Sequence, residues 1–154
     1  TFSYSRRLDD FCTRTSVYEN AEFNPLGYDW VDLGLGAYLA SRPDYAPFAE
    51  ANYGKHKVPT LRNVDLRPDP ADVKAYGHNG YFKSLEGIVH FYNTRDAKPS
   101  CPDLLTTEAD ALAQECWPAP EVSDNVNTAE LGNLRLTADE EAAIVAFLRT
   151  LSDL

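Results

Sequence analysis

The chain has 154 residues, of which 44% are hydrophobic, and its formal net charge is −10 at pH 7. This length and composition predict one globular domain, 1–154, with a hydrophobic core of its own. The acidic balance argues against a nucleic-acid binder, because phosphate recognition needs a basic surface. No apolar run reaches the roughly 18 residues that a membrane helix requires.

The acidic charge has two interpretations that the sequence leaves open. It suits the encounter with a basic protein partner, and it equally suits the solubility of a secreted protein. The chain contains no Met, even at position 1. We therefore expect a processed product, a fragment or part of a longer polypeptide.

The first part of the chain predicts little regular structure. Residues 1–24 show weak periodicity, and the sequence Asn-Pro-Leu-Gly at 24–27 predicts a turn. Residues 28–39 are rich in apolar side chains, but Gly34 and Gly36 disfavour a regular helix. Residues 44–52 predict a short helix that ends at Gly54.

Two later segments predict helices more strongly. In SLEGIVHFY (84–92), Ser84 is a suitable N-cap, and one helical face carries Leu85, Ile88, Val89 and Tyr92. In LTADEEAAIVAFLRTL (136–151), Thr137 and Glu140 form a capping box before a stripe of Ile144, Phe147, Leu148 and Leu151. Residues 107–115 predict a short helix between these two, VPTLRN (58–63) predicts an extended segment, and 66–75 and 117–127 predict loops.

The chain has three cysteines, Cys12, Cys101 and Cys116. Cys101 and Cys116 are separated by 14 residues, and a disulfide across this loop would contribute about 3 kcal/mol to stability. Such a bond implies an oxidising compartment, whereas the alternative is two unpaired thiols. Cys12 is left over, either free or bonded to a partner chain.

Four motifs, in order, resemble the C-terminal haem domain of the bacterial di-haem cytochrome c peroxidase superfamily. They are KVPTLRN (57–63), HNG (78–80), SLEGIVHFYN (84–93) and LTADEEAAIVAFLRTLSDL (136–154). The segment FNPLGYDWVDLGLGAYL (23–39) is similar to one branch of the family, and the resemblance extends from about Tyr18 to the end of the chain. It implies a mostly α, cytochrome c-like domain with short helices, long loops and a core completed by haem c.

The haem-attachment motif of that family, Cys-x-x-Cys-His, does not occur in this sequence. In the family it lies shortly before the region that matches residues 1–20, so we expect it upstream or on an associated polypeptide. The resemblance therefore implies a partner polypeptide that carries the motif and a small redox donor protein. The resemblance also suggests a bound calcium ion, but it assigns no ligand residue in this sequence.

The resemblance gives three residues a role near the haem. Tyr92 matches the position that supplies the second axial ligand, which is Met in typical peroxidases and Tyr in the branch that matures methylamine dehydrogenase. Arg62 and His78 match residues on the propionate side of the haem. From the residues alone, Tyr92 is a core side chain, Arg62 a surface cation and His78 a turn histidine. His90 is expected to face solvent or pair with a carboxylate, and Trp30 and Trp117 receive no role.

The resemblance implies electron transfer and peroxide reduction by the C-terminal part of a di-haem oxidoreductase, outside the cytoplasm and inactive as this segment alone. Three alternatives stay open. The chain could be an electron-transfer subunit without peroxidase activity, a tyrosine-ligated oxidase or maturation factor that acts on a protein, or a haem-free interaction scaffold. No zinc-like spacing of His and Cys, P-loop, nucleophile elbow or Rossmann fingerprint occurs.

Overall fold

The structure is a computed structural model that describes residues 31–153 except 68, 70, 71, 73 and 74. The predictions made for residues 1–30, which include Cys12 and Trp30, lie outside the described residues. The described chain forms two compact units. The first contains residues up to 56 together with 120–126, and the second contains 57–119 and 127 onward. The prediction of a single domain stays a prediction.

The first unit contains helix α1, Gly34–Ala40, and two 3-10 turns, Ala46–Phe48 and Glu50–Asn52. The prediction of irregular structure was wrong for α1, because its two glycines serve packing. Gly34 has a φ of +52° where the chain turns into the helix, and Gly36 lies so close to Tyr53 that a Cβ would overlap its ring and backbone. The predicted helix at 44–52 is replaced by the two 3-10 turns.

The second unit contains α2 (Leu85–Thr94), α3 (Glu108–Ala113) and α4 (Ala138–Arg149), joined by long loops. Within the described parts of the chain, β-structure is limited to isolated bridges, such as the one between Tyr76 and Phe82. The mostly α fold class is therefore confirmed. No helix among the described residues has the length and apolarity that crossing a membrane requires.

Helix α2 is the buried centre of the second unit. Ser84 caps it as predicted, since its Oγ accepts a hydrogen bond from the Gly87 amide at 2.9 Å. Leu85 and Val89 are buried as predicted, and Phe91, on another side of the helix, is almost fully buried. Ile88 and Tyr92 are only half-buried, so the predicted apolar face is divided between core and surface.

Helix α4 packs on α2 and begins with the predicted capping box, in which Thr137 and Glu140 exchange hydrogen bonds. The side chains of its predicted apolar stripe are also not all buried. Val145 is buried against the core, whereas Ile144 is 38% exposed and Phe147 is 59% exposed. Two large apolar side chains, three residues apart on one face of α4, thus remain accessible in the described chain.

Candidate functional site

Tyr92 lies near the C-terminal end of α2, whose position is fixed by the segment 132–136. The Gly132 amide donates to the Tyr92 carbonyl at 2.7 Å, and the Leu134 amide donates to the Asn93 carbonyl at 3.1 Å. The side chain of buried Asn93 then donates to the Leu136 carbonyl and accepts from its amide, at 3.0 and 2.9 Å. The backbone at Tyr92 and Asn93 is therefore held by this segment.

The Tyr92 phenol is half-buried, and burial raises its pKa because the phenolate would be poorly solvated. The side chain is therefore a neutral phenol at neutral pH. A ferric ion bound to the oxygen would reverse this preference, since a metal ion favours the deprotonated ligand. The donor is of the kind that holds ferric haem in tyrosine-ligated proteins.

His90, two residues before Tyr92, pairs with a carboxylate, which was one of its two predicted environments. Its Nδ1 lies 3.0 and 3.1 Å from the two carboxylate oxygens of Glu141 on α4. The side-chain amide of Asn93 donates to the same carboxylate at 2.5 Å. Glu141 thus connects α4 to α2 through His90 and Asn93, a contact that the sequence did not single out.

Arg62 lies on the VPTLRN segment and contacts the C-terminal end of the chain. Its Nε donates to the Asp153 carboxylate at 2.7 Å, and Asn63 donates to the same oxygen at 3.0 Å. These two hydrogen bonds lower the pKa of the Asp153 carboxyl. The Asn63 amide also donates to the Leu151 carbonyl at 2.7 Å. Arg62 is therefore an exposed cation in a defined position beside the end of α4.

His78 lies on the tight turn between Tyr76 and Phe82 and is exposed. Gly77 and Gly80 provide positive φ angles, +83° and +68°, which let the turn reverse. The Asn79 side chain accepts from the Tyr81 amide at 3.1 Å, as expected of a turn-fixing residue. The three predicted site residues are thus carried by three different segments of one unit: Arg62 by 58–63, His78 by this turn and Tyr92 by α2.

The N-terminal end of α2 is held by a residue that the sequence analysis missed. The Glu108 carboxylate, at the start of α3, accepts from the Lys83 amide at 2.5 Å and from the Ser84 hydroxyl at 3.0 Å. It is 7% exposed, and a Cβ at Gly87 would overlap it. No sequence signal identifies this contact, because Gly87 and Glu108 lie far apart in the chain.

A disulfide closes the loop that carries Glu108. Cys101 and Cys116 are bonded, with Cα atoms 5.0 Å apart, and both are buried. The Cys101 amide donates to the Trp117 carbonyl at 2.9 Å, and the Trp117 amide donates to the Pro99 carbonyl at 3.0 Å. The disulfide therefore lies against the buried Trp117.

Large apolar side chains near these segments remain exposed. Val58 is 71% exposed, and Leu61, Ile144 and Phe147 are also exposed. Segment 58–63 carries Val58 and Leu61, and α4 carries Ile144 and Phe147. The Asn63–Leu151 and Arg62–Asp153 contacts join segment 58–63 to the residues that follow α4. In chemical type, a phenol donor, an exposed guanidinium and uncovered apolar side chains are suited to iron, propionates and a porphyrin plane respectively.

No protein-family model matches the chain. The chain is 38% identical over 134 residues to the methylamine utilization protein MauG of Paracoccus denitrificans (strain Pd 1222). The match covers 86% of this chain and 30% of MauG, so the chain spans less than a third of that relative's length. This similarity agrees with the resemblance that the motifs at 57–63, 78–80, 84–93 and 136–154 carry.

Proposed function

We propose that this chain forms the C-terminal haem-binding part of a di-haem oxidoreductase that transfers electrons and reacts with hydrogen peroxide. The observation that carries the proposal is the similarity to MauG over 86% of the chain, which includes the α2 segment with Tyr92. The proposal includes haem c, with the Cys-x-x-Cys-His motif outside this sequence. It also includes a small redox donor protein and an extracytoplasmic location, for which the disulfide is the supporting observation.

Tyr92 is the proposed axial ligand of this haem. The haem would supply one-electron chemistry at its iron, whose potential depends on the axial ligands. The chain's own contribution is to hold the phenol oxygen in place through α2 and segment 132–136, and to surround it with a half-buried environment that limits solvation. An anionic oxygen ligand stabilises the ferric state and lowers the reduction potential.

Arg62 and His78 are proposed to contact the propionate side. The Arg62 guanidinium uses Nε for Asp153, and its planar fork leaves further N–H groups that can donate to a carboxylate. His78 is exposed on its turn and can donate from a ring nitrogen. A haem propionate would thus share Arg62 with Asp153.

A tyrosine rather than a methionine at position 92 favours one of the enzymatic alternatives. The chain contains no Met, so a His/Met site made from its residues is excluded. The similar protein takes part in methylamine utilization. We therefore propose a tyrosine-ligated oxidase or maturation factor that acts on a protein substrate, ahead of a typical peroxidase.

The test uses the full polypeptide that carries the haem-attachment motif, purified with its haem. Tyr92→Phe should change the ferric absorption and electron paramagnetic resonance (EPR) spectra and raise the reduction potential of one haem. Tyr76→Phe is the matched control, because Tyr76 is a buried tyrosine of the same unit that bonds to Asp65 and should leave the spectra unchanged. Spectra that are identical in the Tyr92→Phe variant and the parent would disprove the ligand assignment, and a holoprotein without a Soret band would disprove the proposed function.

A further inference from the structure

A continuous group of aromatic rings extends from Tyr92 into the core of the second unit. The Tyr92 ring lies 5.9 Å from Phe91, and Phe91 lies 5.2 Å from Trp117, measured between ring centroids. Phe82 lies 5.0 Å from Phe91 and 6.2 Å from Trp117, and Tyr81 lies 4.9 Å from Phe82. These contacts connect five rings in series from Tyr92, the proposed iron ligand, through Phe91 to Trp117, Phe82 and Tyr81.

These rings differ in how easily they lose an electron. Phe82 and Phe91 carry no heteroatom and are not oxidised under biological conditions. Tyr81 must release its phenolic proton when it is oxidised, and its hydroxyl donates to the Thr106 backbone carbonyl at 3.2 Å, which is not a base. Trp117 can lose an electron and keep its N–H proton as a radical cation. Trp117 is thus the best electron source in the group.

The surroundings of Trp117 favour such a species. Its Nε1–H donates to the Thr94 hydroxyl oxygen at 3.0 Å, and the Thr94 hydroxyl donates onward to the His90 carbonyl at 2.7 Å. The His90 ring, held by the Glu141 carboxylate, lies 6.0 Å from the indole. The indole is 2% exposed, so water and soluble reductants reach it poorly.

We propose that Trp117 is an internal electron donor to the haem held by Tyr92. The inference depends on the proposed function. Hydrogen peroxide, which a bound haem would reduce to water, would be the two-electron oxidant. In the absence of an external donor, the Trp117 indole would supply one of the two electrons that restore the haem. The indole becomes a radical cation, with its proton retained in the hydrogen bond to Thr94. Tyr92 and Phe91 are the intervening groups.

The test treats the purified full-length holoprotein with hydrogen peroxide in the absence of a reductant and records EPR spectra of rapidly frozen samples. We expect an organic radical signal that narrows when the protein contains ring-deuterated tryptophan. Peptide mass spectrometry should then find oxygen added at Trp117 in excess of Trp30, the other tryptophan of this sequence. These readouts use the unmodified protein, so they do not depend on whether a core variant folds.

Two variants locate the radical. Trp117→Phe should lose most of the tryptophan-dependent signal, whereas Trp30→Phe should keep it. A signal that survives in Trp117→Phe, or one that is unaffected by deuterated tryptophan, would overturn the inference while leaving the proposed function intact. A Soret band that does not respond to peroxide would instead count against the proposed function, and the inference would be lost with it.

Discussion

The Nδ1 atom of His90 lies 3.0 Å from the Glu141 carboxylate, and this contact joins α2 to α4. The same carboxylate accepts from buried Asn93. We expect Glu141→Ala to lower the free energy of unfolding by about 1–3 kcal/mol, because it removes acceptors from partly or fully buried donors. Glu141→Gln, which keeps an acceptor for Asn93, should cost less.

Urea denaturation followed by circular dichroism measures both variants. The reference substitution is Asp139→Ala, at an exposed position in the first turn of the same helix. Equal midpoints for Glu141→Ala and Asp139→Ala would show that the contact between the two helices contributes nothing beyond ordinary helix electrostatics.

The capping box of α4 gives a second prediction. Thr137 accepts from the Glu140 amide at 3.3 Å, and the Glu140 carboxylate accepts from the Thr137 amide at 2.8 Å. Thr137→Ala should destabilise the protein by about 1 kcal/mol, the usual effect of losing an N-cap. Thr137→Ser retains the hydroxyl and should restore most of this stability; if serine and alanine behave alike in thermal unfolding, the hydroxyl is not the stabilising group.

The Cys101–Cys116 disulfide predicts a larger effect. Replacing both cysteines by serine should lower the free energy of unfolding by about 3 kcal/mol, since the bond restricts a loop of this length in the unfolded chain. Both sulfur-bearing residues are buried, so a mild thiol reductant should leave the folded protein oxidised. Mass spectrometry after alkylation distinguishes the two states, and rapid reduction under native conditions would contradict the observed burial.

Tyr76 predicts a dependence of stability on alkaline pH. Burial, followed by its hydrogen bond to Asp65, raises the pKa of Tyr76 to about 12. Between about pH 10 and pH 12 the unfolded chain has lost the phenolic proton while the folded chain keeps it. The free energy of unfolding should therefore fall with increasing pH across this interval.

Tyr76→Phe should make that decline shallower, and Tyr45→Phe is the control because Tyr45 is 50% exposed. Urea midpoints measured at intervals from pH 8 to pH 12, two units either side of an ordinary tyrosine pKa of about 10, give the comparison. Parallel curves for Tyr76→Phe and the parent would mean that Tyr76 does not contribute to the alkaline decline.

The parts of the fold that could be predicted from sequence depend on neighbours in the chain. The Ser84 cap and the Thr137–Glu140 box lie within four residues of their partners, and both were identified. The burial of Val145 and the exposure of Ile144 and Phe147 could not be predicted. Periodicity places these side chains on a helix without showing which side of the helix a neighbour covers. Helix α1 was missed because glycine was judged by helix propensity, whereas Gly36 provides room for Tyr53.

The candidate site shows the same limit. Tyr92, Arg62 and His78 were proposed from local motifs that resemble a family, and their contacts with one another stay predictions. Glu141, Asp153 and Glu108 contact residues 24 to 91 positions away in the sequence. Carboxylates are abundant in this acidic chain, so composition alone could not identify the three that fix the segments around the site.

The buried Glu108 carboxylate links two parts of the molecule that the sequence keeps separate. It attaches the start of the Tyr92 helix to the loop closed by Cys101 and Cys116. That loop is therefore the support against which the helix is positioned along its own axis. Substitutions within residues 102–115 are thus expected to shift the start of α2 along its axis, even where they leave the sequence of the helix unchanged.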